Sequence, residues 1–202
     1  MSSFRGTTVF TVGHSNRSIE ELVELLWSAG VGTVADIRRF AGSRKFPWFG
    51  PEALESSLSD ADIRYVEIAE LGGRRKALPD TPNSGWRNMA FRGYADHMRT
   101  PEFKRGLAKL QREVKTAPTA IMCSEAVPWR CHRWLVSDAL IVRGANVLHL
   151  VGTGKPRGHS LTAFARRRGD LLSYPPGPRA ASVVLTRANR KASALSARTA
   201  RT

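Results

Sequence analysis

Five short apolar runs constrain the fold of this chain more than any other feature of its sequence. The runs are rich in β-branched and aromatic residues, which is typical of strands, and they span 8–12, 33–37, 63–68, 119–123 and 146–151. Helical spacing of apolar residues separates most of them, and strands that alternate with helices form a mostly parallel sheet with both faces covered. We therefore predict an α/β fold, with a single domain over residues 1–174 and a sheet of about five strands.

The intervening helices are marked by their start signals and by their apolar spacing. Ser18 and Glu21 form a capping box that opens the first helix, and Pro51 occupies a favoured first position of the second. Further helices are predicted at 94–98, 101–114, 131–142 and 160–172. Residues 76–92 are predicted to form a long loop, and loops of that length inside compact domains are often functional.

The positive charge of the chain is concentrated at its C-terminal end. The formal net charge is +15, but residues from 155 onward contain 11 Lys and Arg against one acid, which leaves 21 basic and 16 acidic residues before them. We predict that residues 175–202 form a basic tail without ordered structure, which either solubilises the chain or binds polyanions without sequence preference. Two cysteines, with no signal peptide or membrane span in the sequence, predict a cytoplasmic protein with no membrane partner.

Polar residues follow four of the predicted strands, at the place where open α/β sheets bind their ligands. These residues are Gly13, His14 and Ser15 after the first strand, Asp36 and Arg38 at the end of the second, Gly72 and Gly73 after the third, and Cys123 and Glu125 at the end of the fourth. Because the carboxyl ends of parallel strands lie at one edge of the sheet, we predict that these groups and Cys131 converge on one pocket. The convergence indicates an active or anion-binding site.

Several of these groups belong to motifs that together resemble one family. The motifs are Val12-Gly13-His14-Ser15, Asp36-Ile37-Arg38, Leu71-Gly72-Gly73, Phe91-Arg92-Gly93-Tyr94-Ala95-Asp96-His97-Met98, and Cys123-Ser124-Glu125 followed by Cys131-His132-Arg133. In this order, over about residues 8–151, they resemble the family called domain of unknown function 488. The resemblance implies a small bacterial α/β protein and adds Tyr94 to the candidate site, but it implies no established activity.

Cys131 and Cys123 are the candidate nucleophiles of this site. The sequence places Cys131 at the start of a helix between Arg130 and Arg133, where the helix N-terminus and the cations favour the thiolate. The alternatives are two inert buried thiols or a redox pair, although a disulfide is disfavoured in a reducing compartment.

A metal site is a less favoured interpretation of the same residues. Cys123, Cys131 and His132, with His14 from another strand, offer the thiolate and imidazole ligands that suit zinc. However, the spacing Cys-x7-Cys-His matches none of the usual close ligand pairs, and adjacent residues of one helix point in different directions. We therefore predict no metal ligands. The cofactor stays unknown, because the chain lacks the three-glycine dinucleotide pattern.

The candidate residues divide into reacting groups and binding groups. The predicted catalytic residues are Cys131, Cys123, His14, His132, Glu125 and Asp36. The predicted anion-binding residues are Gly13, Ser15, Arg38, Gly72, Gly73, Tyr94 and Arg133. Purely structural alternatives are a turn fixed by His14, an ion pair between Asp36 and Arg38, and a turn capped by Glu125.

These features predict a class of function rather than a reaction. Residues 44–49 interleave basic and aromatic side chains, which suit nucleotide bases and single-stranded nucleic acid. We expect a hydrolase or transferase that acts on a phosphate-bearing partner, either an anionic small molecule such as a nucleotide or a nucleic acid. The alternatives are a non-catalytic nucleic-acid-binding module that uses this loop and the basic tail, and a thiol redox or metal-sensing protein. The sequence does not indicate an oligomeric state.

Overall fold

The computed structural model of the protein describes residues 3–42, 45–152 and 154–177. Its helices are α1 (Ile19–Ser28), α2 (Pro51–Ser59), α3 (Met89–His97), α4 (Pro101–Thr116) and α5 (Arg133–Ile141). Its strands are β1 (Thr8–Gly13), β2 (Thr33–Asp36), β3 (Arg64–Glu67), β4 (Thr119–Cys123), β5 (Asn146–Leu150), β6 (Arg157–Gly158), β7 (Arg166–Arg168) and β8 (Leu171–Ser173). Within these ranges no helix is long and apolar enough to cross a membrane. The predicted basic tail, residues 175–202, lies almost entirely outside the described ranges.

The central sheet has the strand order β3-β2-β4-β1-β5-β6. The first five strands in this order pair in parallel, and β6 pairs with β5 in the antiparallel direction. The predicted α/β fold with a mostly parallel sheet is therefore confirmed, and the five predicted strands are all present. Because β4 lies between β1 and β2, the carboxyl ends of these three strands are neighbours, and the loops that follow them share one edge.

The sheet separates two hydrophobic cores. On one face α1 and α2 bury their apolar stripes, including Leu22 and Leu58, against the sheet. On the other face α3, α4 and α5 contribute Tyr94, Phe103 and Leu135 to the larger core. Each fully buried side chain of this size stabilises the fold by about 1.5–3 kcal/mol relative to exposure. Helices thus cover both faces, as the alternation of strands and helices predicts.

The prediction of a helix over residues 160–172 is wrong. Residues 166–168 and 171–173 instead form the antiparallel β7–β8 hairpin, in which Gly169 adopts a left-handed φ of 60°. Side chains hold this segment from both ends, because Asp138 accepts hydrogen bonds from the backbone and hydroxyl of Thr162 and from the Tyr174 hydroxyl. These long-range bonds replace the i to i+4 bonds that a helix would require.

The helix predicted to begin at Cys131 begins later. A 3₁₀ turn spans Pro128–Arg130, Cys131 follows it with extended dihedrals (φ −138°, ψ 171°), and α5 starts at Arg133. Cys131 therefore precedes the helix rather than lying in its first turn. Because Cys131 is extended, Cys131 and His132 are not successive residues of one regular helix, and their side chains are not forced apart in the site described below.

The long loop before α3 is held by one carboxylate. Asp96 accepts hydrogen bonds from the Leu78 backbone, the Thr81 hydroxyl and the Asn83 amide. Asn83 in turn accepts a bond from the backbone of Tyr174. The loop is thereby attached both to α3 and to the C-terminal segment, and residues at its two ends, Arg74 and Asn88, line the cleft described below.

Candidate functional site: a cationic cleft at the strand ends

A cleft of about 820 Å³ opens at the carboxyl ends of β1, β2 and β4. In the sheet register, Gly13 pairs with Cys123 and Asp36 pairs with Met122, so these strands end at the same level. Nine predicted site residues line the cleft: His14, Ser15, Arg38, Gly73, Tyr94, Cys123, Glu125, Cys131 and His132. The other four, Gly13, Asp36, Gly72 and Arg133, lie directly behind this lining, as the contacts below show. The structure thus brings all of the predicted residues to one place.

The charge of the cleft is almost entirely of one sign. Five cationic side chains line it, namely Arg38, Arg39, Lys45, Arg74 and Arg130. Among the described lining residues Glu125 is the sole carboxylate, and its side chain is exposed. A concave surface with this charge concentrates anions and favours their binding.

Arg38 is held in a fixed orientation by Asp36. The Asp36 carboxylate accepts bonds from Nε and Nη2 of Arg38 at 2.9 and 2.5 Å, and a bond from the Tyr65 hydroxyl at 2.8 Å. Burial opposes the guanidinium charge, but these bonds outweigh it and raise the pKa of Arg38. Burial and the adjacent Asp36 raise the pKa of Tyr65 as well. Asp36 is therefore placed to orient Arg38, with its own oxygens occupied.

Both ring nitrogens of His14 are engaged within the protein. Its Nδ1–H donates to the Ser15 carbonyl at 3.0 Å, and its Nε2 accepts from Arg38 Nη1 at 3.3 Å, which defines the neutral tautomer. Burial, followed by the charge of Arg38, lowers the pKa of His14 to about 4. The ring stacks on Phe49 with centroids 4.2 Å apart. In this arrangement His14 supports Arg38 rather than offering a proton to the cleft.

Cys123, Cys131 and His132 form a compact group at the base of the cleft, which we term the thiol cluster. The two cysteines are free and buried, and a ligand atom from each of the three residues lies within 4.8 Å of the others. Cys123 Sγ lies 3.8 Å from His132 Nδ1. The His132 Nε2–H donates to the Ile37 carbonyl at 3.0 Å, so Nδ1 carries the lone pair that faces the thiols.

The two thiols titrate as a pair. A hydrogen bond from Cys131 lowers the pKa of Cys123, and the nearby Arg133 acts in the same direction. Burial raises the pKa of Cys131, and so does the neighbouring charge on Cys123. The two shifts therefore favour the thiol form of Cys131, where the sequence predicts a thiolate, and a thiolate at Cys123.

Arg133 is fully buried behind the thiols. Its Nε donates to Cys131 Sγ at 3.1 Å, its Nη2 donates to the Glu125 carbonyl, and its Nη1 is buried with no partner in the described part of the chain. No carboxylate in the ranges given above lies within ion-pair distance of it. A buried guanidinium without a carboxylate needs another anion nearby, and the thiol pair is the closest source of one.

Three glycines permit the close approaches in this site. A Cβ on Gly13 would lie 1.8 Å from the Glu125 carbonyl oxygen, and one on Gly72 would lie 2.7 Å from Arg39 Cα. A Cβ on Gly73 would lie 2.7 Å from His132 Nδ1, so this glycine leaves the imidazole lone pair accessible. These contacts explain the three predicted glycines as positions of close packing.

Tyr94 has a structural contact as well as a place in the cleft. Its hydroxyl donates to the Leu71 carbonyl at 2.5 Å, and burial raises its pKa well above the ordinary value. Its ring lies 5.1 Å from the ring of His132. Tyr94 therefore fixes the turn before Gly72 and supports the imidazole.

The structure also reveals cleft residues that the sequence did not single out. Arg39 and Arg74 lie over the exposed ring of Phe40, at 5.5 and 5.8 Å from its centroid. Their signal in the sequence is the density of Arg and aromatic residues after β2 and β3, which identifies no individual side chain. Of the predicted basic and aromatic loop, Lys45 and Phe46 line the cleft, whereas Arg44 lies outside the described residues.

Comparison with known proteins identifies the family. The family described as "Domain of unknown function DUF488" matches residues 18–140. The chain belongs to the DUF488 family. Comparisons with curated proteins and with solved structures give no match. The DUF488 region contains the thiol cluster, Arg38 and Tyr94, while Gly13, His14 and Ser15 precede it. It is shorter at both ends than the range 8–151 over which the motifs resemble the family.

Proposed function

We propose that this protein is a hydrolase or transferase that acts on a phosphate-bearing substrate, a nucleotide or a nucleic acid, bound in the cationic cleft. The observation that carries this proposal is the charge of the cleft, because the described lining residues place five cations and one carboxylate around a buried thiol cluster. Guanidinium groups form strong paired hydrogen bonds with the oxygens of phosphates and carboxylates, so such a lining suits a phosphate-bearing ligand.

The binding groups occupy two levels of the cleft. Arg38, oriented by Asp36, lies deep and is 7% exposed, so it suits a phosphate group that enters the cleft. Phe40 is 63% exposed between Arg39 and Arg74 at the mouth, so it suits a base that stacks on its ring. A nucleotide would extend from the aromatic mouth to the cationic floor.

The reacting groups lie on that floor. The thiol cluster supplies sulfur nucleophiles and the unprotonated Nδ1 of His132, which is able to accept a proton. Glu125 offers a second, exposed base at the cleft wall. Together these groups support displacement at phosphorus, either by a thiol or by an activated water.

The test is turnover of a panel of nucleoside mono-, di- and triphosphates and of a short single-stranded oligonucleotide. Wild-type protein should convert at least one of them, and Cys123→Ser should lower kcat by about 100-fold or more. The double variant Arg74→Gln/Arg130→Gln should raise KM about tenfold. The control Lys104→Gln/Arg112→Gln removes the same charge from the exposed face of α4 and should leave KM unchanged. Absence of turnover across the panel would refute the proposal.

The nucleic-acid-binding alternative is favoured by one observation, the large exposed aromatic side chains Phe40 and Trp129 near the cationic cleft. A binding module should retain oligonucleotide without converting it and should be insensitive to Cys123→Ser. Its affinity should fall steeply with salt, and should fall further when residues 178–202 are removed.

A further inference from the structure

The thiol cluster has the ligand types and spacing of a zinc site. Tetrahedral zinc binds sulfur at about 2.3 Å and nitrogen at about 2.0–2.1 Å, which sets the ligand atoms about 3.6–3.8 Å apart. The Cys123 Sγ to His132 Nδ1 distance is 3.8 Å, and all three ligand atoms lie within 4.8 Å of one another. Small side-chain rotations therefore suffice to close the group around one ion.

The extended conformation of Cys131 makes this possible. On a regular helix, Cys131 and His132 would point apart, which is why the sequence argues against a shared ligand set. Because Cys131 precedes the helix with φ −138° and ψ 171°, its thiol and the neighbouring imidazole face the same point as Cys123. Adjacency in the chain therefore does not prevent Cys131 and His132 from sharing one ligand set.

The surroundings of the cluster match those of a metal-bound histidine. Ligating histidines usually donate their other ring N–H to a carbonyl or carboxylate, and His132 donates Nε2–H to the Ile37 carbonyl at 3.0 Å. Gly73 keeps the space next to Nδ1 free of a side chain. Behind the cluster, Arg133 Nε donates to Cys131 Sγ, which supports a thiolate ligand.

The number of ligands indicates an open coordination position. His14 is committed through both nitrogens to Ser15 and Arg38, and it does not join the cluster. Three protein ligands and one exchangeable position are the arrangement of catalytic zinc, whereas structural zinc has four protein ligands. Cys123, Cys131 and His132 all line the cleft, so the fourth position faces the place where substrate would bind.

We propose that Cys123, Cys131 and His132 bind one Zn²⁺ ion whose fourth position opens into the cationic cleft. Metal binding is independent of the proposed function. The catalytic meaning rests on that function, because an open zinc site would polarise a phosphate oxygen or bind the attacking water. With zinc bound, the cysteines act as ligands and the water replaces them as nucleophile.

The test is titration of the reduced, chelator-treated full-length protein with Co²⁺, a spectroscopic substitute for zinc. We expect one equivalent to give intense visible bands of tetrahedral cobalt and a near-ultraviolet thiolate-to-cobalt band, with Zn²⁺ displacing both. Cys123→Ser, Cys131→Ser and His132→Gln should each weaken binding on the order of 100-fold. Gly73→Ala keeps every ligand but crowds His132 Nδ1, and should weaken binding about 10- to 100-fold.

His97→Gln is the matched control for the histidine variant. His97 is buried and also donates from Nε2 to a backbone carbonyl, that of Glu70 at 2.8 Å, but it lies outside the thiol cluster. This variant should bind cobalt as the wild type does. Folded wild-type protein with two titratable thiols and no thiolate-to-cobalt band would overturn the proposal, and so would an unchanged band in Cys123→Ser. Cobalt binding without turnover of any phosphate substrate would refute only the proposed function.

Discussion

Two histidine-containing groups flank α5, and they differ in whether the protein satisfies their polar atoms. The thiol cluster lies at the start of the helix and opens into the cleft, and Arg133 Nη1 behind it has no hydrogen-bond partner among the residues that the structure describes. The second group, which we term the Asp138 network, comprises Thr11, Asp138, His149, His159, Thr162 and Tyr174 and is closed. The described residues satisfy the polar atoms of the Asp138 network, whereas they leave one buried polar atom behind the thiol cluster without a partner.

The Asp138 network is a continuous chain of hydrogen bonds. The Thr11 hydroxyl donates to His149 Nδ1 at 2.7 Å, His149 Nε2 to His159 Nδ1 at 3.0 Å, and His159 Nε2 to Asp138 Oδ1 at 2.9 Å. One set of neutral tautomers satisfies every ring nitrogen. The network joins β1 and α5 to β5 and to residues 159–174, which lie beyond residue 140, where the family match ends. Its completeness indicates a structural role, whereas the open thiol cluster indicates chemistry.

Replacing Asp138 should have the largest effect on stability. Asp138→Asn exchanges two acceptor oxygens for one and places an amide donor against the donors of His159, Thr162 or Tyr174. Breaking a buried group of this kind costs about 3–5 kcal/mol in the free energy of unfolding. Urea denaturation measures it, with the exposed Asp80→Asn as control. A loss below about 1 kcal/mol would contradict the structural role of the network.

Crowding Gly13, which packs against the loop after β4, should have a smaller effect. In Gly13→Ala the new Cβ would meet the Glu125 carbonyl at 1.8 Å and Arg133 Nη2 at 2.7 Å, so the loop after β4 must shift. Overpacking of this kind costs about 1–3 kcal/mol. Gly158→Ala is the control, because a Cβ there meets nothing within 4 Å. Equal stability of the two variants in thermal unfolding would show that the surroundings of Gly13 are not tightly packed.

The contrast between the two groups also explains what the sequence could predict. The alternation of strands and helices is local, and it predicts the sheet and the edge at which His14, Arg38 and Cys123 meet. The Asp138 network was not predicted, because its members are distant in the chain and its histidines lie in no motif. The geometry of Cys131 and His132 depends on the dihedrals of a single residue before α5, which no side-chain pattern encodes. The helix prediction for the Ser160–Leu172 segment is wrong for the same reason, because the network that holds this segment is built from residues that are distant in the chain.

Acid should act on the closed group through His149. Burial is the largest cause that lowers the pKa of His149 from 6.5 to about 3, and the charge of Arg133 acts in the same direction. Between these pH values the unfolded chain binds a proton at His149 that the folded chain does not. The stability that neutral His149 contributes is therefore complete above pH 6.5 and is lost as the pH falls. The slope is about 1.4 kcal/mol per pH unit for one proton. Across this pH range, urea denaturation should show a smaller slope of the unfolding free energy against pH in His149→Gln than in the wild type, by up to the contribution of one proton. The Gln amide in this variant still donates to His159. An unchanged slope would exclude His149 as the acid-sensitive group.

The smallest stability effect is expected where the functional effect is largest, in the thiol cluster itself. His132→Gln retains a donor for the Ile37 carbonyl, so the free energy of unfolding should fall by less than about 1 kcal/mol. The same variant removes the Nδ1 lone pair that faces Cys123, so it should lower turnover strongly and weaken cobalt binding on the order of 100-fold. Measuring unfolding and cobalt affinity on one preparation separates the two effects. If His132→Gln destabilised the protein as much as Asp138→Asn does, the His132 imidazole would contribute mainly to folding stability. The thiol cluster would then be a second structural network rather than the reactive group that we propose.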